Sequence, residues 1–278
     1  AINDRLATAF SPMSLKTGRE ADMKEAMEWF DIVKPHFFRA PLDNDKGFGN
    51  WIAKDWKNNR LDSPETATVK PLDAKRNADG TVTVTTTQEC RYANGKITTD
   101  YVYTIDADGS VEFSATYTPE GQLPPRPCIG NTFLMDKDMT RLSWYGQGLQ
   151  DSYVDRLEAT SIGRWTSSVD QEYVHYPRPQ SSGNHEQTVT LSLTDAKGRG
   201  YTVTTANATP FAFSALPYSE HQLSTVAHDC DLHTENNVFL NIDAAMMGLG
   251  NSSCGPGVLT KYSIPQKQHS LHVMFKRK

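Results

Sequence analysis

The side chains best suited to chemistry are thinly spread along the chain. Three acidic pairs stand out: Asp43 with Asp45, Asp136 with Asp138, and Asp229 with Asp231. Two carboxylates in differing environments are the usual equipment for paired acid–base work, because the environments push their pKa values apart. All three pairs sit among turn-forming residues, where an Asp ordinarily bonds its own backbone. They read as turn residues. His175, His185, His221 and His228 are scattered, and each reads as structural. Cys90, Cys128, Cys230 and Cys254 form no C-x-x-C pair, and no His spacing beside them suggests zinc. They read as four free thiols, some buried as small apolar groups, and they do not reveal a compartment.

The elements that must position these groups are mostly strands. Residues 81–87 (TVTVTTT), 96–105 (KITTDYVYTI) and 111–118 (VEFSATYT) alternate apolar or β-branched with polar side chains, the period of a half-buried strand. Asn94-Gly95 predicts a type I′ hairpin between the first two, and Asp108-Gly109 a turn before the third. Residues 188–194 and 201–206 flank a turn at 195–198. Residues 258–264 and 271–275 predict a further pair. Strand patterning from about residue 66 onward predicts a mainly β fold, a large antiparallel β-sandwich. Short helices are predicted over 22–30 and 50–60, and after Ser219, where Gln222 completes a capping pattern. No β-α-β alternation is present, which argues against a barrel or Rossmann domain in these residues.

Of 278 residues, 37% are hydrophobic and 22% charged, enough for a sizeable core. The net charge of -5 carries no block of like charge, so no nucleic-acid partner is expected. The apolar runs are too short to span a bilayer, so no membrane partner is expected either. The reading is a soluble protein, cytoplasmic or periplasmic. Ala1 is not preceded by Met, and residues 1–10 lack the pattern of a secretory signal, so Ala1 reads as a processing boundary with more chain upstream.

Four segments, in order, resemble the small C-terminal domain of family-2 β-galactosidases. They are RAPLDND at residues 39–45 followed by Lys46-Gly47; residues 126–156, ending WYGQGLQDSYVDR; YPRPQ at 176–180 with Gly183-Asn184-His185; and residues 211–223 continuing through LNID at 240–243 to Met247-Gly248-Leu249-Gly250. The resemblance covers residues 35–278 and leaves 1–34 as a poorly matched lead-in. It implies a galactose-mutarotase-like supersandwich within a larger enzyme. In that enzyme a separate (β/α)8 barrel carries two glutamates about 5 Å apart for retaining hydrolysis. It further implies Mg²⁺ in that barrel, none in this chain, and no catalytic residue here. The implied partners are the remaining domains, above all the barrel, a carbohydrate substrate, and further copies of the enzyme, since the family often forms oligomers.

The resemblance also marks the residues to watch. The loop after RAPLDND borders the active-site cleft in the family and moves, so Arg39, Asn44, Asp45 and Gly47 become cleft candidates, with Gly49 adding freedom. A scaffold role, with Arg39 paired to a carboxylate, is the competing reading. Residues 248–257 (GLGNSSCGPG) match a loop that carries a sugar-stacking Trp in well-known members. Alignment on Pro256 puts Cys254 there, beside Ser253. A thiol has no flat π face to stack with. Trp144 and Tyr145 are weaker candidates for a sugar platform, with core packing as the alternative. Departures include Leu149-Gln150-Asp151 where the family has Pro-x-Glu, Ser181 where it is usually acidic, and Val189-Thr190 where Arg-Trp is common.

Two other functions remain open at this level. A stand-alone aldose mutarotase needs a His acid and a Glu base within reach of one sugar, for which His175 or His185 with Glu172 or Glu186 are the candidates. A carbohydrate-binding module would show a row of exposed aromatics. A cleft edge with RAPLDND and the Cys254 loop side by side would favour the accessory domain.

Overall fold

The computed structural model describes residues 32–47 and 52–278. The helix predicted over 22–30 and Gly49 lie outside the described residues. Two antiparallel sheets face each other. The smaller has five strands in the order β1 (Val33–His36), β6 (Cys128–Asp136), β13 (Asn237–Met246), β12 (Phe211–Leu216) and β9 (His185–Thr188). The larger has nine: β2 (Glu65–Arg76), β3 (Val82–Tyr92), β4 (Gly95–Ile105), β5 (Val111–Gly121), β14 (His269–Arg277), β11 (Gly200–Thr205), β10 (Thr190–Thr194), β7 (Arg141–Gly148) and β8 (Ser161–Ser168).

Alternation decides which faces meet. Along β5, Val111, Phe113, Ala115 and Tyr117 are fully buried while the residues between them are not. Phe113 meets Phe133 of the other sheet edge-on at 5.3 Å, and Phe133 meets Phe275 at 4.8 Å. Trp144 and Phe213 repeat the inter-sheet contact at 5.6 Å. Such geometries add about 0.5–1.5 kcal/mol each beyond the apolar area they bury.

The β3–β4–β5 meander pairs residue for residue as the alternation predicts. Its first turn differs. Tyr92 pairs with Gly95, so the two-residue loop is Ala93-Asn94, and neither has positive φ. Gly95 is needed for proximity instead: a Cβ there would collide with the Glu120 carbonyl and come within 3.1 Å of Leu123. The strand predicted over 188–194 is two strands. At Val189 the chain leaves the smaller sheet and enters the larger, because β9 bonds β12 whereas β10 bonds β7 and β11. Residues 258–264 are not a strand. They close local turns, including a 3-10 turn at Thr260–Tyr262, since β5 and β11 already occupy both edges of β14.

Among the described residues the helices are few and short: α1 (Asp43–Lys46), α2 (Ile52–Asn58), α3 (Val169–Glu172) and α4 (Glu220–Thr225). Ser219 caps α4 by accepting from the Gln222 amide at 3.2 Å. Among the described residues no helix is long and apolar enough to cross a membrane.

Candidate functional site

The site grows from Arg39, just after β1. Its guanidinium forks onto Asp45, with Nε donating to Oδ2 at 3.2 Å and Nη2 to Oδ1 at 2.9 Å. Each side chain is about 1% exposed. Burial alone would weaken the charged guanidinium, but the Asp45 carboxylate outweighs that and raises its pKa. Asp45 Oδ2 also accepts the Leu42 amide at 3.0 Å, which closes the single turn of α1. The other guanidinium donors reach across the fold to the carbonyls of Met247 at 3.0 Å and Gly248 at 3.4 Å. One ion pair thus shapes the RAPLDND turn and fixes it to the start of the 248–257 loop.

Asn44 completes the junction. Its Nδ2 donates to the Gly250 carbonyl at 2.7 Å, while its Oδ1 accepts from the Ser253 amide at 3.2 Å and the Ser253 hydroxyl at 2.6 Å. All three bonds are long-range, to residues more than 200 positions along the chain. Gly47 lies against the same loop, with φ +24°, and a Cβ on it would stand 2.8 Å from Ser252. Here glycine is required by contact as well as by backbone angle. Cys254 is exposed at the loop tip, its amide turned back to the Asn251 carbonyl at 3.0 Å.

The other two resembling segments brace this junction. Asp155 accepts the amides of Leu249 at 3.1 Å and Gly250 at 2.8 Å. Arg156 donates to the Gly250 carbonyl at 2.7 Å and to Asn251 Oδ1 at 3.1 Å. Gly248 leaves room for the Asp155 carboxylate, which a Cβ would meet at 2.7 Å. Gln180 Oε1 accepts the Asp43 amide at 2.9 Å, and the Ser181 amide donates to the Ala40 carbonyl at 3.2 Å. Half-buried Glu220 of α4 accepts from the Ala40 amide and the Ser181 hydroxyl.

An open groove of about 550 Å³ runs along this edge, lined by Asn44, Lys54, Asp55, Leu249 and Ser252 among others. Asp45, on this groove, is occupied in holding its turn, and Asp155 in holding the neighbouring loop. The arrangement suits positioning and contact.

The remaining candidates lie elsewhere. Trp144 is 3% exposed, with its indole donating to the Gln147 carbonyl at 2.9 Å and its ring packed on His185 at 4.3 Å. That corrects the sugar-platform expectation: a ring enclosed on the core side offers no face to a solute. Tyr145 is 40% exposed and lies on a separate groove with Ile162 and Glu186, under the Arg164 guanidinium. It is the one large aromatic exposed among the described residues, which therefore form no row of the kind expected of a carbohydrate-binding module. His185 Nε2 and Glu172 Oε2 do meet, at 2.6 Å, but both are buried and Trp144 covers the imidazole. A pyranose has no approach to that pair. His175 pairs with Asp229 at the surface.

The family model described as "Beta galactosidase small chain" matches residues 11–275. A β-galactosidase of Streptococcus thermophilus is 32% identical over 218 residues, 78% of this chain and 21% of that protein. β-Galactosidase BgaC of Bifidobacterium adolescentis is 35% identical over 186 residues, 65% of this chain and 17% of that protein. The chain therefore spans about a fifth of the length of these relatives. Among solved structures, a galactose mutarotase related enzyme from Lactobacillus acidophilus aligns with TM-score 0.36 and 10% identity, covering 74% of this chain and 71% of that one.

Proposed function

Because the chain belongs to the beta galactosidase small chain family, we propose that it is the accessory β-sandwich of a family-2 glycoside hydrolase. It forms one wall of an active-site cleft whose catalytic carboxylates lie on another domain. The single observation carrying this reading is the Asn44 junction, which sets the RAPLDND turn and the Cys254 loop side by side along one groove. A wall of this kind needs rigid loops presented at an edge, and four separate segments are spent on fixing them. The substrate class is a terminal β-galactoside, hydrolysed with retention by two carboxylates about 5 Å apart in the barrel. The Mg²⁺ implied by the resemblance belongs with that barrel. The groove edge, with Asn44, Ser253 and Cys254, faces the barrel and the leaving-group side of the sugar.

The test is hydrolysis of a chromogenic β-galactoside by two proteins: this 278-residue chain and the product of the whole reading frame that encodes it. The reading expects activity in the latter alone. Turnover by the isolated chain would place the carboxylates within it and sink the accessory role.

A further inference from the structure

Beneath the junction, the smaller sheet holds a buried polar trio from three adjacent strands. His36 of β1 and Asp243 of β13 are both in register with Gly130 of β6, which lies between them, and Cys128 is two residues back on the same face of β6. His36 Nδ1 meets Asp243 Oδ1 at 2.7 Å, and Cys128 Sγ meets His36 Nε2 at 3.7 Å. All three residues are 4% exposed or less. Gly130 creates the space, since a Cβ there would strike the Asp243 carboxylate and the Ile242 carbonyl.

One atom of this trio is left over. Asp243 Oδ2 is buried and has no hydrogen-bond partner among the described residues. An orphaned carboxylate oxygen inside a sheet is costly, and it calls for a cation. The donors are a thiol, an imidazole and a carboxylate, whose ligating atoms all lie within 4.8 Å of one another. Tetrahedral zinc holds such atoms roughly 3.3–3.7 Å apart at its usual bond lengths, so seating the ion requires the His36–Asp243 contact to open from 2.7 Å and the wider separations to close. The soft thiolate disfavours Mg²⁺ and Ca²⁺. Every Cys and His of the chain lies among the described residues, and His36, Cys128 and Asp243 are the one such trio found there.

We propose that His36, Cys128 and Asp243 form a zinc site that ties β1, β6 and β13 together behind the Arg39–Asp45 pair. Binding exchanges one proton for the metal: the Cys128 thiol proton leaves to solvent as the Zn–S bond forms, while His36 binds through the nitrogen carrying its lone pair and keeps its single N–H on the other. With three protein ligands, a fourth coordination position stays open.

The test uses the whole chain, refolded from chelator-treated protein in the presence of Co²⁺. The expected result is one Co²⁺ per chain with a thiolate-to-cobalt charge-transfer band, bleached when Zn²⁺ displaces the cobalt. The band should vanish in Cys128→Ser and persist when the exposed thiols are replaced together, in Cys230→Ser with Cys254→Ser. X-ray absorption on the zinc-loaded unaltered chain gives a readout free of folding defects: a shell of one sulfur with nitrogen and oxygen. No band after refolding, a band that survives Cys128→Ser, or a shell with no sulfur or with several would overturn the assignment and leave the trio a hydrogen-bonded one.

Discussion

Replacing Arg39 by Met removes a buried positive charge and keeps most of the side-chain volume. Asp45 would then hold its charge at about 1% exposure with only the Leu42 amide as partner. Breaking one half of a buried pair costs about 3–5 kcal/mol, because the survivor is uncompensated. The carbonyls of Met247 and Gly248 also lose their donor. Taking about 4 kcal/mol, and 2–4 °C of melting temperature per kcal/mol for a domain approaching this size, the expected drop is roughly 8–16 °C. Arg39→Lys should fall between, since an ammonium keeps the charge but cannot fork onto both oxygens. The double variant Arg39→Met with Asp45→Leu should cost less than the two single changes added together, because it removes both charges. Calorimetry on the four proteins reads each term. A drop under about 3 °C for Arg39→Met, or single costs that add within about 0.5 kcal/mol, would refute the claim that this pair holds the junction.

Gly47→Ala should destabilise by about 1–3 kcal/mol through its φ of +24° and the Ser252 contact, and urea titration should show it; an unchanged midpoint would mean the loop gives way freely. Burial pushes the Glu186 carboxyl up to about 8 from an ordinary 4.5. Its folded pKa is raised, so its stabilising contribution is complete below about pH 4.5 and is lost as pH rises through about 8. Melting curves from pH 4 to 9 should therefore fall less steeply for Glu186→Gln than for the parent chain, and parallel curves would contradict the assignment. In the full reading-frame product, Cys254→Trp should raise kcat/KM for an aryl β-galactoside about 2–12-fold, the worth of one aromatic contact; an unchanged ratio would show that the loop tip does not face the sugar.

Much of the sandwich is legible in the sequence because its cause is local. The alternation along β4 and β5 is the alternation of buried and solvated faces, and the sheet only has to accept it. The Arg39–Asp45 pairing is legible for the same reason, being six residues apart. What escapes is set by distant partners. Val189 carries no mark that the chain changes sheets there. Residues 258–264 have strand-like composition but find no free edge. Gly95 looks like a turn residue, yet its job is set by Glu120 near the end of β5 and Leu123 just beyond it. Trp144 and Tyr145 are neighbours with opposite fates, and only the sheet decides which faces in. The trio of His36, Cys128 and Asp243 is invisible to spacing rules, because its members are 92 and 207 residues apart and meet only through strand register.

The position of β14 has a bearing on how the molecule can be made. Residues 269–277 lie between β5 and β11, so they join two blocks of the larger sheet that share no other border. While a ribosome is still upstream of residue 269, β2–β5 and the block of β11, β10, β7 and β8 each present a bare ladder of amides and carbonyls. Those two borders are matched to the same missing strand, and a second nascent chain can satisfy them as well as the chain's own β14 can. Translation speed over residues 269–277, and chaperone cover of these borders, should therefore govern the yield of native protein more than the strength of any contact within either block.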